Sequence, residues 1–206
     1  MKQHKREARG RVLHSYDADS LGAPFKVTLI DSVTEEVDPT SGEKLITIPD
    51  LNGLVRAVVH SRVCDPRKLT GPELKFVRLA LDVQANKLAA FLSVTPEHLS
   101  RCEAGAKTLS PANEKALRAF SFLAAASENA RNVLDGFLES RDAAEVTDEI
   151  KNVAVDLMKF FFSMKIMPIF DVAEELGYEF TRCHRRQKNC VEDMTDGAWK
   201  PQQKAA

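Results

Sequence analysis

Residues 69–110, LTGPELKFVRLALDVQANKLAAFLSVTPEHLSRCEAGAKTLS, leave this chain less conformational freedom than any other stretch. Thr70, Gly71, Pro72 and Glu73 mark a helix start: a hydroxyl cap, a proline in the first turn, and an acid three residues on for a capping box. Leu74, Val77 and Leu81 then face inward at helical spacing. Asp82 and Val83 turn the chain, and Gln84 starts a second helix that buries Leu88, Ala89 and Leu92. After a tight turn at Ser93 and Val94, Thr95 caps a third helix with Pro96 at its first position. Ala89 must be small where these two helices cross, and Val94 and Leu99 fill the space between them. The spacing predicts four short helices packed around a helix-turn-helix.

Upstream, FKVTLIDSVTEEV alternates β-branched and polar residues, DPTSGE supplies turn chemistry and KLITI alternates again. This predicts a β-hairpin with strands over 26–37 and 43–48 and a turn over 38–42. Val27, Leu29, Ile46 and Ile48 would hold it against Leu54 and Val58. Asp50 can cap a helix that carries Leu51, Leu54, Val55, Val58 and Val59 to about residue 63. Downstream, Ser110 and Pro111 open one long helix or two over 112–138. Thr147 precedes a further helix carrying Ile150, Val153, Ala154, Leu157, Phe160, Phe161 and Ile166, which Pro168 breaks or kinks. Residues 169–176 add a turn or two, stopped by Gly177. The cluster Phe160, Phe161, Phe162, Met164, Ile166 and Met167 is too apolar all round for a one-sided surface helix, so it is core, partner interface or ligand pocket.

The 206 residues suffice for one large domain or two small ones. A formal net charge of -1 means that any affinity for nucleic acid has to come from local patches. Charge is segregated accordingly: residues 1–11 hold five Lys/Arg against one Glu, 67–118 nine against five acids, and 128–156 three against eight. The N-terminal stretch reads as a mobile arm, either a solubilising tail or a DNA-touching one. Cys64, Cys102, Cys183 and Cys190 form no CxxC pair and suit reduced thiols in a cytoplasm. Cys183, His184 and Cys190 lack the usual zinc spacing, and no metal or cofactor is expected. Arg182, Arg185, Arg186 and Lys188 can reach phosphate or form a solvated tail. No secretory signal, membrane span or nucleotide-binding or hydrolase motif is present, so an enzyme is not expected.

The pattern LxxxxxxLAxxLxVTPExLSRxExG resembles the phage-repressor type of helix-turn-helix, the Xre or lambda-repressor-like family, over about residues 69–120. The resemblance implies a structural ion pair between Arg78 and Glu103, tying the first helix to the end of the recognition helix. It also implies DNA contacts from Pro96, Glu97, His98 and Arg101 in the recognition helix. Gln84, Lys87, Thr95, Ser100 and Lys107 complete the expected DNA-facing set. Arg101 suits guanine O6 and N7, Glu97 can accept from cytosine N4, and His98, Ser100 and Lys107 suit phosphate. Ala85 stands where the family commonly has a phosphate-clamping glutamine, and Cys102 where an aromatic is frequent.

From residue 16 to 120 the chain is also similar to bacterial regulators related to the MqsA or YgiT antitoxins, which place a small β region and a helix before LTGxExxFLR. Their zinc-finger cysteines are missing, since no cysteine precedes Cys64. The expected class is mostly α (α+β). It comprises a basic flexible arm (1–15), a small β-hairpin module with a connecting helix (16–66), and a central five-helix-type repressor helix-turn-helix (67–120). A helical dimerisation or partner segment (121–181) and a polar tail (182–206) follow. The expected function is a cytoplasmic, nucleoid-associated transcriptional regulator binding double-stranded DNA as a homodimer on an inverted repeat. The alternatives are an antitoxin-like protein that masks a toxin and autoregulates its operon, and a protein that binds another regulator without touching DNA.

Overall fold

The computed structural model describes residues 10–126, 148–168, 176–182 and 197–202, the side chains of 148–154 excepted. These residues fall into two compact units. One comprises 10–21, 25–54, 176–182 and 197–202, and the other 22–24, 55–126 and 148–168.

The first unit is a five-stranded mixed sheet: β1 Arg11–Asp17, β2 Lys26–Val37, β3 Lys44–Thr47, β4 Gly177–Arg182 and β5 Trp199–Gln202. The long strand β2 organises it. β1 pairs antiparallel along one edge, with a bulge where Leu13 pairs Val33 and Ser15 pairs Ile30. The other edge is shared, β4 pairing parallel to residues 26–30 and β3 antiparallel to residues 34–37. The β2–β3 turn is closed by Asp38, whose N–H donates to the Glu43 carbonyl at 2.9 Å and whose side chain accepts from the Thr40 N–H at 2.7 Å. Gly42 supplies the left-handed conformation there, φ +73°.

This overturns the expectation of a mostly α chain with a small hairpin: residues 26–47 do form a hairpin, but as part of a mixed sheet assembled from both ends of the chain. Residues 11–15, assigned to a flexible arm, lie in β1, residues 177–182 belong to β4, and the tail contributes β5. Ile46 does not hold the hairpin, being 39% exposed. Val27 and Leu29 are buried as expected, Ile48 is half-buried beyond the end of β3, and Val33, Phe180 and Trp199 are buried as well; the Trp199 indole N–H donates to the Asp50 carbonyl at 3.0 Å. Asp50 in turn caps the helix that follows, accepting from the Gly53 N–H at 3.0 Å.

That helix, α1 (Leu51–Cys64), leads into the second unit, which contains α2 Gly71–Ala80, α3 Ala85–Phe91, α4 Pro96–Glu103, α5 Pro111–Ala126 and α6 Asp148–Ser163. Val58, Val59, Val63, Leu74, Val77, Leu88, Leu99 and Leu117 form its core, each at most 3% exposed. α6 ends at Ser163, so Ile166 lies beyond the helix rather than within it. The cause is a backbone pairing: Met167 donates its N–H to the Pro66 carbonyl and accepts from the Lys68 N–H, both at 2.9 Å, which requires an extended chain. Of the Phe/Met cluster only Phe161 is core, at 0% exposure; Phe160, Phe162 and Met167 are 51%, 46% and 42% exposed. The expected arm over 1–9, the helix beyond residue 126, the turns over 169–175, and Cys183, His184, Arg185, Arg186, Lys188 and Cys190 lie outside the described residues.

Candidate nucleic-acid interface

The site is built on α3, α4 and the turn between them. Ser93, at φ 54°, takes the left-handed conformation, and its N–H and that of Val94 donate to the Ala90 and Ala89 carbonyls at 3.1 and 2.9 Å. A two-residue turn of this kind brings the start of α4 against the end of α3, and Ala89 at 1% exposure leaves room for it. Thr95 caps α4, its hydroxyl accepting from the His98 N–H at 3.1 Å, with Pro96 in the first turn. Leu99 and Cys102 are the buried face of α4. Its opposite face presents Pro96, Glu97, Ser100 and Arg101, all exposed, with His98 half-buried.

The remaining residues of the expected set lie outside α4. Gln84, exposed, is the N-cap of α3, but its side chain makes no capping bond. Lys87 is half-buried on α3. Lys107 is exposed in the loop after α4, where its N–H donates to the Arg101 carbonyl at 3.1 Å. The Glu97 carboxyl is held below its usual range, chiefly by its own backbone N–H, then by the Thr95 hydroxyl and the charge of Arg101.

Two devices fix α4. The Arg78 guanidinium forks onto Glu103, Nε to Oε1 at 2.6 Å and Nη2 to Oε2 at 2.9 Å, while Nη1 donates to the Val83 carbonyl at 3.1 Å. Both side chains keep 11% exposure, and the bonds from Glu103 raise the Arg78 pKa. One arginine thus joins α2, the α2–α3 turn and the end of α4. The second device is Gly71. A Cβ there would stand 2.5 Å from the Cys102 carbonyl oxygen and from the Gly105 nitrogen, so α2 meets the end of α4 at backbone distance.

A buried charge network behind the site went unread in the sequence. Arg62 donates through Nε to Glu73 Oε1 at 2.7 Å and through Nη2 to Oε2 at 3.0 Å, and it also bonds the Arg67 and Lys68 carbonyls. Arg118 donates to Glu114 and to the Val63, Asp65 and Arg67 carbonyls. Glu114 accepts in addition from the Leu69 N–H and from Lys68 Nζ. Two guanidiniums therefore satisfy the carbonyls of the α1–α2 connection, which sets where α2 begins. Burial alone would raise the Glu73 carboxyl, but the bonds and charge of Arg62, together with the bonds from Thr70, outweigh it and hold that carboxyl low. The available signal was Arg62 on the apolar face of α1, in register with Val55, Val58 and Val59.

Among the described residues, no group of three or more His, Cys, Asp or Glu side chains is placed to hold a metal ion. No described helix is long and apolar enough to cross a membrane. No protein-family model, curated protein or solved structure matches this chain.

Proposed function

We propose that the chain is a sequence-specific, double-stranded-DNA-binding transcriptional regulator that lays the outward face of α4 in the major groove. The observation that carries this reading is the division of α4: Leu99 and Cys102 are buried, while Glu97, Ser100 and Arg101 stand exposed around the N-terminal half and Lys107 flanks the exit. A helix entering the groove with its N-terminal residues at the base edges has this form. An α4 of 8 residues spans only about 12 Å and reads few base pairs, so we propose two copies on an inverted repeat. Such a regulator acts in the cytoplasm, at the nucleoid.

The test is retardation of duplex DNA from a random pool and from the gene's own promoter. Binding should weaken steeply as salt rises, since phosphate contacts release counterions. Absence of any complex at low salt overturns the proposal.

A second reading, an antitoxin-like protein with a protein partner, is favoured by one observation. Val155, Met158 and Phe162 on α6, one side of the helix by their spacing, are 50%, 41% and 46% exposed. Co-purification of a stoichiometric partner from the native host supports it.

A further inference from the structure

Glu97 is the only acid among the exposed residues between 84 and 107; the other acid in that span, Glu103, is half-buried and paired with Arg78. It stands in the first turn of α4, four residues before Arg101, so the two side chains share one face about 6 Å apart along the axis. An exposed carboxylate is an unusual thing to aim at a polyanion. If α4 enters the groove, this charge is repelled by phosphates and by every acceptor edge it meets, unless a donor is there to bond it.

Resting on the DNA-binding reading above, we infer that Glu97 is a specificity-determining residue that works by exclusion: it admits sites with cytosine opposite it and penalises all others, non-specific DNA included. Cytosine alone fits, for a chemical reason. In the major groove guanine presents two acceptors and thymine an acceptor beside a methyl group. Adenine offers the N6 donor, but beside the N7 acceptor, which repels a carboxylate. Cytosine offers the N4 donor beside a C–H. Arg101, carrying donors only, reads guanine O6 and N7 by the complementary logic. With base pairs about 3.4 Å apart, the two side chains reach the same G·C pair or pairs within about two steps of each other. The Thr95 hydroxyl and the backbone N–H at the start of α4 hold the carboxylate ionised in the free protein.

The experiment is selection from random duplex DNA by the full chain and by its Glu97→Gln and Glu97→Ala variants, with affinity for a scrambled duplex measured at one fixed salt concentration. Glu97 is exposed, so both variants should fold, and thermal unfolding checks that they do. The wild type should select cytosine at one position per half-site. Glu97→Gln should select adenine there, because an amide bonds N6 and N7 together. Glu97→Ala should lose preference at that position alone and bind scrambled DNA on the order of tenfold tighter. Identical selected bases for wild type and Glu97→Gln, or unchanged scrambled-DNA affinity in Glu97→Ala, overturn this inference while leaving DNA binding intact. Failure of the wild type to bind any duplex overturns both.

Discussion

Arg62 on α1 and Glu73 on α2 meet as a bidentate pair, 2.7 and 3.0 Å, with only 1% and 5% of their side chains exposed. Removing one partner strands the other's charge in the interior, a loss of about 3 to 5 kcal/mol. Arg62→Met and Glu73→Gln should each lower stability by that order in urea denaturation. Arg62→Met combined with Glu73→Gln should lose less than the sum of these two single changes, because no charge is left alone. Part of the loss should persist, since Arg62 also bonds the Arg67 and Lys68 carbonyls. Strict additivity would mean that the pair is not coupled.

The position of α4 depends on an absent side chain. Gly71→Ala puts a methyl group 2.5 Å from the backbone of Cys102 and Gly105 and 2.8 Å from that of Glu103, none of which can rotate away. In an open helix Gly to Ala would gain about 0.5 to 1 kcal/mol. Here it should instead destabilise by about 1 to 3 kcal/mol, the range of overpacking, and displace the end of α4. Chemical-shift changes in Cys102, Glu103 and Gly105 on substitution are the readout; a stabilised variant with unshifted resonances contradicts the close approach.

His60 makes stability pH-dependent. Its ring stacks on Phe122 at 4.5 Å and its Nε2 lies 2.9 Å from the Phe122 carbonyl oxygen, placed to donate. Burial is the larger influence and lowers its pKa, against the hydrogen bond, which raises it. A depressed value means that the unfolded chain takes up this proton first. Stability is therefore fully present above the ordinary value of 6.5 and is lost as pH falls through the folded value. Glu73, also depressed, adds a second decline below its ordinary 4.5. His60→Gln, which keeps a donor without titrating, should abolish the first decline and leave the second in urea midpoints measured from pH 8 to 3.5.

The second unit was legible because its signals are local. Thr70 with Glu73, Thr95 with Pro96 and Ser110 with Pro111 state where helices start, and the capping box at Thr70 is closed in both directions. The hairpin over 26–47 was legible for the same reason, the turn at Asp38 being written beside it. β4 was not: it pairs with residues about 150 positions away, and nothing near Tyr178 and Phe180 names Lys26–Ile30 as the partner. β5 contains Pro201, which argues against a strand except at a sheet edge, where this one lies. β1 has no buried side, so its alternation carries no hydrophobic signal. Sequence periodicity detects half-buried elements, and this sheet has edges that are hardly buried. Within the site, Gly71 was read as part of a helix start and not as a contact, since close approach to α4 is a property of the packed pair.

On the proposed DNA-binding reading, Arg101 and Lys107 should divide base reading from phosphate binding, although they are joined by a backbone hydrogen bond of 3.1 Å. Arg101 sits on the outward face of α4, where a guanidinium can fork onto one base. Lys107, in the loop beyond, presents a flexible ammonium of low geometric demand. Arg101→Ala should therefore cost about 1 to 3 kcal/mol on a selected site and relax the choice at one base pair, with little change on scrambled DNA beyond the loss of one charge. Lys107→Ala should weaken all duplexes alike and reduce the slope of log affinity against log salt by about 1. Measuring both variants on selected and scrambled duplexes at several salt concentrations distinguishes the roles. Equal losses on both duplexes for Arg101→Ala would make that residue a phosphate contact and move base reading to another part of α4.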